Sequence, residues 1–133
     1  MKKRVLVLCT GNSCRSIIGE ALLNAKFGSF VEAFSAGSNP KGEVNPNAKK
    51  VLQKYGLWRD SYHSKSLDEV IDITFDLVVT VCDKAKESCP IFPKKTKVIH
   101  VGFEDPDGKP YEEFEKTLKE MEEKLLPKVK QEL

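Results

Sequence analysis

An excess of either charge is nearly absent from this chain. Its 22 lysines and arginines face 20 aspartates and glutamates, leaving a formal net charge of +2 over 133 residues. A balance so close to zero provides no electrostatic footprint for nucleic acid or for a membrane surface. No apolar run approaches the ~20 residues that a membrane-spanning helix needs. The basic start Met1-Lys2-Lys3-Arg4 leads into an apolar stretch, Val5 to Leu8, that is too short for a signal-peptide core. The expectation is a cytoplasmic monomer with no bound cofactor. Histidine occurs only twice, and no Cys-x2-Cys pair occurs among the four cysteines, so the usual zinc spacings are missing. In a reducing compartment these cysteines are expected to be catalytic, redox-active or metal-binding rather than structural bridges.

The length suggests one domain, residues 1–133, able to bury a core without disulfide staples. Val5 to Leu8 is a continuous apolar run, as in a central parallel strand. A helix is predicted from Ser16 to about Phe27, with Ile17, Ile18, Ala21, Leu22 and Ala25 at helical spacing. A second strand is predicted over Phe30 to Ser35. A helix led by Asn45-Pro46 runs to about Tyr55 and ends at Gly56. A short helix follows at Leu67 to Ile71, then strands at Phe75 to Val81 and at Lys97 to Val101. The last helix starts near Pro110, and Pro127 is expected to kink or fray its final turn. Strands alternating with helices predict an α/β fold: an open four-stranded parallel sheet with helices on both faces. Ligands bind such sheets at the carboxyl ends of the strands. Cys9, Cys82 and Asp105 each follow a predicted strand end.

The segment Cys9-Thr10-Gly11-Asn12-Ser13-Cys14-Arg15-Ser16 joins the first strand to the first helix. A helix N-terminus presents backbone N–H groups that suit an anion. Gly11 permits a tight bend, Asn12 tolerates left-handed angles, and Arg15 offers a planar fork for two oxygens of a tetrahedral anion. Thr10, Gly11, Asn12, Ser13, Cys14, Arg15 and Ser16 are therefore the expected oxyanion-binding residues. Ser16 is positioned to donate to the Cys9 sulfur, and the helix terminus and the guanidinium together favour a thiolate there.

This octapeptide resembles the phosphate-binding loop of the low-molecular-weight protein tyrosine phosphatases and of the arsenate reductases that share their fold. Ser35-Ala36-Gly37 after the second strand is a further match, and the likeness spans nearly the whole chain. It implies that Cys9 is the nucleophile and Arg15 the anion binder, with Asn12 and Ser16 bracing the loop. Both families carry a late Asp-Pro pair whose aspartate is the general acid, here Asp105-Pro106. An acid at that place protonates the departing oxygen. Asp-Pro-Asp-Gly is also ordinary turn chemistry.

Asp107-Gly108-Lys109 follows the pair, where the phosphatases typically have aromatic residues. Trp58 and Tyr62 are the candidates for an aromatic wall. Val79 to Pro90, holding Cys82 and Cys89, resembles the redox segment of thioredoxin-coupled arsenate reductases. That resemblance implies a relay in which Cys82 attacks a Cys9–arsenic adduct and Cys89 then takes over Cys82, with thioredoxin or a similar dithiol protein as external reductant. Arsenate is the implied substrate, with phosphate or sulfate as competing oxyanions; the alternative is a phosphatase working through a Cys9 phosphocysteine. Cys14 is expected to be a packed loop thiol. Asn12, Glu20 and Ser35 match three ligands of a potassium site often found in the family. Ser66 stands where relatives with that site have an aspartate, so no metal is expected beyond a weak potassium site.

Overall fold

The computed structural model describes residues 2–83 and 90–133. Four parallel strands, β1 (Lys3–Cys9), β2 (Val31–Gly37), β3 (Leu77–Thr80) and β4 (Val98–His100), form one sheet in the order β2-β1-β3-β4. The chain winds outward from β1 to β2 and then restarts on the other side of β1 with β3. The topological switch therefore falls between β1 and β3, where open α/β sheets form their binding crevice. In the register, Leu8 lies beside both Ala36 and Thr80, and Cys9 lies beside Gly37.

Successive strand residues point to opposite faces. Val5, Val7 and Cys9 face the main core together with Leu77, Val79 and Val81. Helices α1 (Arg15–Lys26), α2 (Pro46–Lys54) and α3 (Tyr111–Glu132) cover that face. Leu6, Leu8, Ala36 and Val78 face the other way, beneath Val70, Phe75 and Phe92. Among the described residues, the 3-10 turn Leu67–Glu69 is the helical element of this second face. It is shorter than the predicted Leu67 to Ile71.

α1 is sandwiched between the sheet and the other two helices, and residues Arg15 to Asn24 are all buried. α2 begins as its sequence suggests: the Asn45 side chain accepts from the Asn47 N–H at 2.8 Å, Pro46 occupies the first turn, and Gly56 takes φ 70° past its end. In α3 the helix continues through Pro127 to Glu132 instead of fraying. A proline inside a helix forfeits one hydrogen bond. Burial of Leu125, Leu126 and Val129 on both sides of it holds the turn in place.

Candidate functional site

Cys9 ends β1, and Arg15 opens α1 five residues after the intervening loop begins. The loop's carbonyls are engaged on its outer side. Ser38 N–H donates to Cys9 O at 3.2 Å, Asn39 N–H to Thr10 O at 2.9 Å, Lys41 N–H to Gly11 O at 3.0 Å and Asn45 N–H to Ser13 O at 3.0 Å. Four of the loop's carbonyls are thus bound to residues 38–45, which ties the loop to that segment. Gly37 permits the close approach, since a Cβ there would stand 2.4 Å from Thr10 O. α1 has no side-chain cap at Cys14. An uncapped helix start is open to an anion.

A cavity of about 210 Å³ is lined by Cys9, Thr10, Gly11, Asn12, Ser13, Cys14, Arg15, Asn39, Lys41 and Asp105. It contains every predicted loop residue except Ser16, which lies beneath. Cys9 Sγ lies 2.9 Å from Ser16 Oγ and receives the Asn12 N–H at 3.3 Å. Asn12, at φ 46°, adopts the left-handed backbone its type tolerates. Its side-chain amide donates to Ser16 Oγ at 2.7 Å and to Ser35 Oγ at 3.0 Å, and its carbonyl accepts the Lys65 N–H at 2.8 Å.

Arg15 is buried, and its guanidinium donates to Phe103 O at 3.1 Å. The second nitrogen lies 3.5 Å from Asp105 Oδ2. Asp105, half exposed, hangs over the cavity from the loop after β4, and its other oxygen accepts the Asp107 N–H at 3.0 Å. Asp107 forms an ion pair with Lys41 and accepts from Asn45 Nδ2 at 2.7 Å. The loop of Asp105 and Asp107 is thereby tied to residues 41–45 across the cavity mouth. The Lys41 ammonium holds the Asp107 carboxyl below its ordinary range, and Asp107 in turn raises Lys41. Sequence reasoning missed Lys41 and Asn39. They carry no motif, and only the folding of residues 38–45 over the cradle brings them in.

Burial pushes the Cys14 thiol up to about 12, as fits a packed thiol. Cys9 and Cys14 are free, whereas Cys82 is buried and disulfide-bonded. Cys82 follows β3, and Val81 N–H donates to Leu8 O at 3.1 Å, so the ends of β1 and β3 adjoin. Cys89 lies outside the described residues.

Trp58 and Tyr62 do not reach the cavity. They pack edge to face at 5.7 Å, and Asn24 Nδ2 donates to Tyr62 Oη at 3.2 Å. Among the described residues the cavity wall therefore has no aromatic ring. The two histidines are apart: His63 pairs with Glu69, and His100 contacts Thr80. No cluster of three His, Cys, Asp or Glu suited to a metal occurs among the described residues. Among them, too, no helix is long and apolar enough to cross a membrane.

Asn12, Glu20 and Ser35 do converge. Ser35 Oγ donates to Glu20 Oε1 at 2.5 Å. Lys65 enters this cluster, with its ammonium 3.9 Å from the same Glu20 oxygen. Burial raises Glu20 above the usual carboxylate range, against the opposing pull of Lys65 and Ser35.

Residues 4–133 match the family described as Low molecular weight phosphotyrosine protein phosphatase. The chain is 38% identical over 120 residues to an arsenate reductase of Staphylococcus epidermidis, covering 90% of this chain and 91% of that one. It superposes on a low-molecular-weight protein tyrosine phosphatase from T. tengcongensis with a TM-score of 0.80, at 30% identity and over 99% and 100% of the two chains. A thioredoxin-dependent arsenate reductase of Corynebacterium glutamicum gives a TM-score of 0.72 at 30% identity, over 99% of this chain and 64% of the other.

Proposed function

The chain belongs to the low-molecular-weight phosphotyrosine protein phosphatase family, and from that premise we propose that it reduces arsenate to arsenite with a thioredoxin as external reductant. The observation that carries the reading is the pairing of a free Cys9 on an oxyanion-sized cavity with a disulfide-bonded Cys82 at the adjoining strand end. A hydrolase has no use for the second feature. The curated relative at 38% identity is an arsenate reductase, and among the described residues the cavity wall offers no aromatic surface for a phosphotyrosine ring.

In this reading arsenate enters the cradle, held by the loop amides and the Arg15 fork. The Cys9 thiolate forms a sulfur–arsenic bond while one arsenate oxygen leaves as water, its proton supplied by Asp105. The Cys82 thiolate then attacks the Cys9 sulfur. The sulfur–arsenic bond breaks with its electron pair on arsenic, which drops from the +5 to the +3 state, and a Cys9–Cys82 disulfide forms. Cys89 attacks Cys82 next, forming Cys82–Cys89 and releasing the Cys9 thiolate. Two thiols have lost two electrons and arsenic has gained them. The dithiol of thioredoxin finally reduces the remaining disulfide. A free Cys9 beside an oxidised Cys82 is the arrangement that the Cys89 step leaves behind.

The competing reading is a phosphatase with a Cys9 phosphocysteine, favoured by the full-length superposition on the T. tengcongensis enzyme. One assay separates the two. With thioredoxin, thioredoxin reductase and NADPH, arsenate-dependent NADPH oxidation is expected, and Cys82→Ser or Cys89→Ser abolishes its steady state. Rapid aryl phosphate hydrolysis unaffected by either substitution, with no arsenite formed, supports the phosphatase instead.

A further inference from the structure

Lysine is almost never fully buried unless it is paired, yet the Lys65 side chain is only 7% exposed and the Glu20 side chain facing it 8%. Neither residue lines the cavity. Lys65 is fixed from several directions. Its carbonyl accepts the Gly37 N–H at 2.9 Å, the adjacent Ser66 bridges Gly37 as an extension of the sheet, and its ammonium donates to His63 O at 3.0 Å. These contacts bring a cation into the interior directly behind the cradle.

The hydrogen bonds there run in one direction. A carboxylate only accepts, so Ser35 gives its proton to Glu20. Ser35 then accepts from Asn12, whose other amide hydrogen goes to Ser16. Ser16, already accepting from Asn12, has its own proton left for Cys9 Sγ. The orientation of the Asn12 amide decides this order, and the Lys65 backbone N–H fixes it by occupying Asn12 Oδ1. Lys65 thus acts at both ends, through its ammonium at Glu20 and through its backbone at Asn12. The charged groups that bear on Glu20 are Lys65, His63 and Arg59, and of these Lys65 has the largest influence.

We propose that Lys65 is a positioning residue for Cys9: its ammonium is the built-in counter-cation of buried Glu20, which keeps the chain Glu20–Ser35–Asn12–Ser16 polarised toward the sulfur without an external metal ion. The proposal rests on the reading of Cys9 as the nucleophile, not on arsenate as the substrate. The geometry it requires is a cation held at the carboxylate by the fold itself, and the 3.9 Å approach of Nζ to Oε1 supplies it.

The test is the rate of Cys9 alkylation by iodoacetamide near neutral pH, followed on the full chain by peptide mass mapping. Lys65→Met is expected to slow it roughly fivefold, the scale of one hydrogen bond of the chain lost. Lys65→Arg retains the cation and is expected to stay near the wild-type rate. Unpaired charge can destabilise Lys65→Met, so the same substitution is also made in a Glu20→Gln background, where no buried carboxylate is left bare. There the effect of Lys65→Met is expected to shrink, as coupled residues require. The wild-type rate is expected to be equal in potassium chloride and choline chloride of the same ionic strength. The proposal is overturned by a wild-type rate in Lys65→Met, by an undiminished loss in the Glu20→Gln background, by an equal loss in Lys65→Arg, or by a wild-type rate that rises with potassium. Arsenate turnover measured beside it is a separate readout: its absence in the wild-type chain overturns the arsenate reading alone.

Discussion

Asn12 Nδ2 donates to Ser16 Oγ at 2.7 Å, which leaves the Ser16 hydroxyl proton available for a neighbouring acceptor. A thiolate at Cys9 only accepts, and Ser16 Oγ stands 2.9 Å from its Sγ to donate to it. Removing that donor leaves the developing thiolate one hydrogen bond short. Ser16→Ala is expected to lower kcat/KM for arsenate by about tenfold to a hundredfold, the range for a hydrogen bond to a charged group. Steady-state kinetics in the thioredoxin-coupled assay checks it, and an unchanged kcat/KM would show that Ser16 only packs.

Asp105 stands over the cavity with one oxygen 3.5 Å from Arg15 and the other held by the Asp107 N–H. An amide in its place keeps the shape and loses the proton. Asp105→Asn is expected to slow adduct formation by about 10²–10⁴-fold, with binding of arsenate little changed. Single-turnover loss of the Cys9 thiol, measured against arsenate concentration, distinguishes the chemical step from binding.

Cys14 has a direct pH consequence. Its thiol is raised by burial from 9.0 to about 12 in the folded chain. Between those values the folded state holds a proton that the unfolded state has released. Stability from this group is therefore full below about pH 9 and declines as pH rises toward 12. Denaturant titrations at increasing alkaline pH are expected to show a falling midpoint in the wild-type chain and a flatter trend in Cys14→Ala. In the native protein at mildly alkaline pH, iodoacetamide should reach Cys9 well before Cys14.

Lys41 and Asp107 join two loops across the cavity mouth, yet both are substantially exposed, at 50% and 33%. Such a pair contributes no more than about 1 kcal/mol. Asp107 is held below its ordinary range, so its contribution is present above the unfolded carboxylate pKa and is lost as pH falls through the lower folded value. The larger effect concerns the anion, since Lys41 lines the cavity beside Arg15. Lys41→Met is expected to raise KM for arsenate several-fold with kcat nearly unchanged, and to weaken the salt dependence of KM. An unaltered KM would reduce Lys41 to a loop tie.

Much of the scaffold was legible in the sequence because its signals are local. The run Val5 to Leu8 marks the central strand, Asn45-Pro46 marks a helix start, and Cys9 to Ser16 marks an anion cradle. Each works through backbone preferences or spacing within a few residues. Strand ends were less legible: Phe75 to Val81 reads as a strand, but pairing limits β3 to Leu77–Thr80. Pro127 shows the same limit: local chemistry predicts a kinked or frayed final turn, yet with Leu125, Leu126 and Val129 buried the helix runs on to Glu132 without fraying.

The sequence by itself determined the expectation of what chemistry to look for: a thiol, a guanidinium and a tight loop at a helix mouth suit a tetrahedral oxyanion. Only the tertiary structure decided what surrounds that loop. Trp58 and Tyr62 proved to be core packing, Lys41 and Asp107 meet across the cavity mouth, and Lys65 lies buried against Glu20 behind the Cys9 loop. The last two pairings link residues tens of positions apart, and no periodicity or spacing encodes them. They arise because parallel strands place distant loops at one sheet edge, where burial and charge then decide which side chains meet.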